Sequence, residues 1–210
     1  MTDPNYSALL VVLDRSGSMT NIQDEMQVGL QTLVDEQAKE PGMLTIDLIQ
    51  FDNVIEAVYT MKDAKGVKIE LDPRGGTALY DALGVAINGF SKTIEELPEH
   101  ARPSKVTLIA VTDGEENSSQ EYDLKTVKKL IQKKQKDEGW EMVFLGANQD
   151  AVLSGQNLGF EADASLTFDA DADGVNIMAA SASRFISDAR SGNRQGFSDT
   201  ERGAASRGSR

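Results

Sequence analysis

Four short stretches of this chain are apolar almost throughout: residues 7–13, 44–51, 105–111 and 140–145. Runs of that length with so few polar positions read as strands buried on both faces, the situation of a parallel sheet covered by helices. The segments between them carry a different period. Ile22, Met26, Leu30 and Leu33 recur at helical spacing, as do Leu79, Leu83 and Ile87, and then Leu124, Val127, Leu130 and Ile131. Residues 54–61 follow the second run across the short turn Asp52-Asn53, which predicts a hairpin partner at a sheet edge. A weaker helix over 149–158, a short strand over 165–168 and a last helix over 175–189 complete the series. This alternation predicts an open, doubly wound α/β fold, with right-handed crossovers placing helices on both faces.

The length of 210 residues fits one domain over residues 1–190 and a tail over 191–210. The tail is rich in Gly, Ser and Arg, and Phe197 is its only aromatic residue. So little apolar surface does not offset the entropy of ordering, so the tail is expected to be disordered unless a partner holds it. It holds four Arg against Asp199 and Glu201, a net of +2, so residues 1–190 carry −15 of the overall −13. Such a balance repels phosphate backbones and argues against nucleic acid as a partner. There is no cysteine, which removes thiolate metal sites and disulfide frameworks. The first apolar run has no basic residue before it and is far too short for a signal peptide or a membrane span. The expectation is a cytoplasmic protein (or one inside an infected host, if a phage encodes it) that does not engage a membrane.

In open α/β sheets, sites form beyond the carboxyl ends of strands. The run LLVVLDRSGSMT ends its strand in Asp14, followed at alternate positions by Ser16 and Ser18. The run KVTLIAVTDG ends in Asp113, and PRGGTALYDAL lies between the two in sequence, with paired glycines before Thr77. If the strands that end in Asp14 and Asp113 are neighbours, two carboxylates and three hydroxyls meet in one crevice. Such a set suits a hard divalent cation, above all magnesium, which takes six oxygens and usually keeps several waters. Neutral hydroxyls leave much of the cation's charge uncancelled, so an open position would attract a carboxylate from outside.

DRSGSM, GGTALYDAL and VTDGEEN together resemble the three pieces of the metal-ion-dependent adhesion site of von Willebrand factor type A domains, in the free-standing form found in bacteria and phages. The pattern of that family is Asp-x-Ser-x-Ser, a distant Thr and a distant Asp. Here Asp14, Ser16 and Ser18, then Thr77, then Asp113 match it in full. The resemblance implies a sheet in the order 3-2-1-4-5-6 with one antiparallel edge strand. It also implies a bound Mg2+ (Mn2+ or Ca2+ as alternatives) and a protein partner presenting Asp or Glu to it.

Other features have plainer readings. Asp81, one helical turn after Thr77, is either an acceptor supporting the site or, the favoured reading, a solvated carboxylate. Glu115 and Glu116 either rim the crevice or cap a helix starting near Gln120, and capping is favoured. DADADG at residues 169–174 imitates the start of a calcium-binding EF-hand loop, but position twelve is Ala180 instead of a bidentate Glu, and a helix N-terminus explains the acids better. His100, the only histidine, reads as an exposed loop residue, and Trp140 as packing. Two alternatives to a binding module stand beside it. A magnesium-dependent phosphohydrolase of the haloacid-dehalogenase type would need a second Asp where Ser16 stands, so the chain is not expected to be an enzyme. A structural protein would assemble homo-oligomers through its Arg-containing tail.

Overall fold

A strand alternates its side chains, and in β1 (Asp3–Asp14) both of the resulting faces are covered. Leu9, Val11 and Leu13 point into one apolar cluster, and Tyr6, Ala8, Leu10 and Val12 into another. The computed structural model, which describes residues 2–207, builds six strands and six α-helices around this arrangement. After β1 come α1 (Gln23–Gln37), β2 (Met43–Phe51), β3 (Ile55–Asp63), α2 (Leu79–Glu96) and β4 (Pro103–Thr112). Then come α3 (Leu124–Glu138), β5 (Glu141–Ala147), α4 (Ala151–Leu158), β6 (Ser165–Phe168), α5 (Ala172–Ser191) and α6 (Asp199–Ala205). The sheet order is β3-β2-β1-β4-β5-β6, and only the β2–β3 pair is antiparallel. The expected doubly wound fold, strand order and antiparallel edge are therefore all present.

Helices α1 and α5 bury Met26, Leu30, Leu33, Val175, Met178 and Phe185 on one face of the sheet. Helices α2, α3 and α4 bury Leu83, Ile87, Val127, Ile131 and Leu158 on the other. Order 3-2-1-4-5-6 makes the chain leave β1 towards β2 on one side, while β4 flanks it on the other. This switch point opens a crevice at the carboxyl ends of β1 and β4. The two strands run in register from Ser7 opposite Lys105 to Leu13 opposite Val111, so Asp14 and Thr112 come next at the same edge.

The tail departs from the expected disorder. Phe197 is buried beside Phe185, with ring centroids 5.3 Å apart. Arginines supply the other anchors. Arg184 pairs with Glu201, and Arg194 with Glu141, Glu161 and Asp163, while Arg202 donates to the carbonyls of Ser165 and Ala162. Ser198 and Glu201 close a reciprocal cap at the start of α6, which lies on β6. One aromatic ring and several charge-assisted hydrogen bonds thus order a segment whose composition alone is too polar to fold. Residues 208–210 of the expected tail lie outside the described residues.

Smaller expectations resolve locally. Asp171 accepts from the Gly174 N–H as the N-cap of α5, which accounts for the DADADG run. Trp140 is buried edge-on against Phe90, and His100 lies in an exposed short turn over Glu99–Ala101. No helix among the described residues is long and apolar enough to cross a membrane.

Replacing Phe197 with Ala should cost about 3 kcal/mol, the usual scale for truncating a buried phenylalanine. Urea unfolding of the full chain measures it, and an unchanged midpoint would mean that the tail is not part of the folded unit.

Candidate metal centre

Asp14 is the last residue of β1 and is fully buried. One carboxylate oxygen accepts from the Ser16 N–H at 2.7 Å, and the other from the Thr112 hydroxyl at 2.6 Å. The Ser16 and Ser18 hydroxyls lie 3.0 Å apart, and Ser18 donates to Asp113 Oδ1 at 2.6 Å. A carbon placed on Gly114 would meet Thr77 Oγ1 at 3.2 Å and Ser18 Oγ at 3.6 Å, so the Thr77 hydroxyl faces the same spot. All five residues singled out in the sequence are therefore brought together, with Asp14, Ser16 and Thr77 buried and Ser18 at the open side.

Several further residues hold this cluster, and of these Thr112 and Arg15 carried no clear signal in the sequence. Thr112 fixes Asp14 and also accepts from the Gly114 N–H. Gly75 has a φ of +70°, a conformation that glycine adopts without strain. Its carbonyl takes the Gly17 N–H at 3.1 Å, while Arg15 O takes the Arg74 N–H at 2.8 Å, which ties the first loop to the glycine loop. Asn53 Oδ1 accepts from Gly76 N, and Asp52 O from Ala78 N. The Arg15 side chain runs back, buried, to Asp52 and Glu56. The Asp52-Asn53 turn is therefore a strut under the Thr77 loop as well as a hairpin connection.

The loop after Asp113 is clasped to the start of α2. Asn117 Oδ1 accepts from Thr77 N, and Asn117 N donates to Thr77 O. Glu116 accepts from the N–H groups of Tyr80, Ser118 and Ser119. Asp81, expected to be solvated, is buried and takes three consecutive backbone N–H groups, those of Gln120, Glu121 and Tyr122. That ladder keeps Gln120 out of helix. α3 begins only at Leu124, capped by Asp123, so neither Glu115 nor Glu116 caps it.

Burial is the main reason that the Asp14 carboxyl is pushed up to about 6; the hydrogen bonds from Thr112 and Ser16 oppose the rise, and nearby Asp113 adds to it. Burial raises Asp113 as well, against the hydrogen bond from Ser18. Two adjoining carboxyls that resist ionisation are a set whose charge a divalent cation would relieve. The donors are all hard oxygens, which suits magnesium, manganese or calcium. Two carboxylates and three hydroxyls make up the candidate cluster; among the described residues no group of three or more His, Cys, Asp or Glu is positioned for a metal.

No protein-family model matches the chain, and no curated protein matches it. Solved structures do. Proximal thread matrix protein 1 of the mussel byssus superimposes with a TM-score of 0.66 at 16% identity, over 88% of this chain and 47% of that one. A von Willebrand factor type A protein from Catenulispora acidiphila gives 0.52 at 20% identity, over 84% and 42%. The ArnB paralog VWA2 of Sulfolobus acidocaldarius gives 0.53 at 18%, over 85% and 44%. The fold is that of von Willebrand factor type A domains. The chain spans less than half the length of these type A structures. One further structure of the mussel protein has a zinc-occupied metal-ion-dependent adhesion motif.

A carboxyl whose folded pKa is raised favours the fold while protonated. The Asp14 contribution is complete below its ordinary 3.8 and lost as pH climbs through about 6. Protein held in chelator should therefore lose stability across that interval. Asp14→Asn should remove part of the slope and leave the shares of Asp113, which burial raises, and of Asp47, which burial also pushes up to about 6. Urea titrations at a series of pH values test this, and an unchanged slope in the variant refutes it. Asp81→Ala should cost on the order of 2 kcal/mol, by removing the carboxylate that takes three backbone N–H groups. Amide exchange at residues 120–122 should accelerate at the same time.

Proposed function

We propose that the chain is a metal-dependent binding module whose Asp14, Ser16, Ser18, Thr77 and Asp113 hold magnesium or manganese at the top of the sheet. The observation that carries this reading is the convergence of these five side chains from three loops, linked by the Ser16–Ser18 and Ser18–Asp113 contacts. A cation bound there supplies an electrophilic centre for a carboxylate. Thr112 and the Ser16 N–H orient Asp14, and the Asn117 and Asn53 contacts hold the Thr77 loop at the distance that the cluster needs. Ser18 and Asp113 stand at the open side, where an Asp or Glu of a partner protein would approach. The zinc-occupied motif in the mussel protein supports such a site on this fold.

The reading assigns binding without turnover. Ser16 occupies the position where a haloacid-dehalogenase-type phosphohydrolase needs its acid, and its hydroxyl is engaged with Ser18. Assembly through the tail is not favoured, because Arg194 and Arg202 are engaged by internal carboxylates and carbonyls.

Magnesium or manganese at a hundred times its Kd should stabilise the protein by about 2.7 kcal/mol. Asp14→Ala should abolish that gain, and Thr112→Val should weaken the cation about 10- to 100-fold, as loss of a group orienting a ligand does. Titration calorimetry and thermal unfolding measure both. Equal magnesium affinity in Asp14→Ala and the wild type would overturn the site. A protein captured in magnesium, lost in chelator and lost with Asp14→Ala would be the carboxylate donor.

A further inference from the structure

The charge of this protein is not spread evenly. Helix α3 carries six of the chain's 21 Lys and Arg, against Asp137 and Glu138, a net of +4. The rest of the molecule therefore holds −17 of the overall −13. Two of the six lysines are engaged: Lys128 reaches Gln156 O, and Lys134 pairs with Glu138 over the Trp140 ring. The other four, Lys125, Lys129, Lys133 and Lys136, are exposed and make no ion pair or hydrogen bond among the described residues. Their spacing of four, four and three residues puts them in one stripe along the helix. Neighbouring α4 contains no charged residue.

The opposite face of the sheet has the complement. Helix α1 contains Asp24, Glu25, Asp35 and Glu36 and no Lys or Arg. Between α1 and the start of α5 runs a groove of about 270 Å³ lined by Asp24, Glu25, Val28, Ala172 and Asn176. Val28 lines this groove at 62% exposure, one of several exposed large apolar side chains of the protein. An apolar floor with a carboxylate rim matches a lysine side chain, whose methylene stem packs while its ammonium stays at the polar edge. The two surfaces lie on opposite sides of the sheet, roughly 20 Å apart. That is more than twice the screening length of about 8 Å at physiological ionic strength. Each surface is therefore felt locally, and the overall negative charge does not mask the stripe.

We propose that the α3 lysine stripe of one copy docks on the Asp24–Glu25–Val28 groove of a second copy, a head-to-tail contact separate from the metal centre. The local match of the exposed lysines with the carboxylate rim of the groove favours a second copy as the occupant, since every copy carries both halves. The contact is small and mostly polar, so it is weak and salt-sensitive. Because its two halves differ, it propagates from copy to copy instead of closing a symmetric pair.

Sedimentation velocity of the full chain in chelator tests this. Association should weaken at least tenfold between about 0.05 and 0.5 M salt, as the screening length shrinks. The pair Lys129→Glu and Lys133→Glu should be monomeric, as should the pair Asp24→Lys and Glu25→Lys. A mixture of the two double variants should associate, because each supplies the face that the other needs, and circular dichroism confirms that both are folded. A wild type that stays monomeric at low salt overturns the proposal. So does association that needs magnesium and disappears with Asp14→Ala, which would place the contact at the metal site. Stripe-dependent binding to anionic vesicles or to heparin by a monomeric wild type would assign the lysines to another anion and also overturn it.

Discussion

Parallel pairing of β1 with β4 is the constraint on which the rest depends. It delivers Asp14 and Asp113 to one edge of the sheet, at the switch point where the helices diverge and leave room. Bringing two carboxylates together in a half-dry crevice is unfavourable, and the neighbouring structure is organised around that cost. Thr112 and the Ser16 N–H take one carboxylate and Ser18 takes the other. The Ser18 hydroxyl that donates to Asp113 is also one of the oxygens that the proposed cation would use.

The loops around this pair behave as one body because their contacts are mutual. The first loop is tied to the glycine loop through Gly17 and Arg74, and the glycine loop to the hairpin turn through Asn53 and Asp52. The loop after Asp113 is fastened to α2 by Asn117, Glu116 and Asp81. Most of these bonds join a side chain to a backbone N–H, the type that fixes a loop's path without needing regular structure. Thr77 sits where the two sets meet. Its position is therefore set by both neighbours, and a change at Asn53 or Asn117 reaches the site without touching it.

The alternation of apolar runs and helical periods made the fold legible, because a sheet covered on both faces leaves no ambiguity of face in β1 or β4. The convergence of Asp14, Ser16, Ser18, Thr77 and Asp113 was legible because three loops each follow a strong pattern. Asp81 was not, since a carboxylate on the first turn of a helix is usually wet, and only the backbone of a loop some forty residues away makes it otherwise. Thr112 was hidden at the end of a strand, where a threonine signals nothing more than strand preference. The tail misled for a related reason: composition counts apolar area, and cannot count arginines that find carboxylates already fixed on the folded body. Arg194 meets Glu141, Glu161 and Asp163 only after β5 and β6 have formed.

The docking of α6 on β6 also has a meaning in time. β6 is the last strand of the sheet, and Arg202 and Ala205 engage the carbonyl of Ser165 and the N–H of Asp169 at its two ends. A ribosome releases β6 some thirty residues before it releases that cover. During the interval a newly made strand edge is open, and open edges recruit other strands. The edge strand is thus completed by residues that come some thirty positions after it, and not by its own neighbours in sequence.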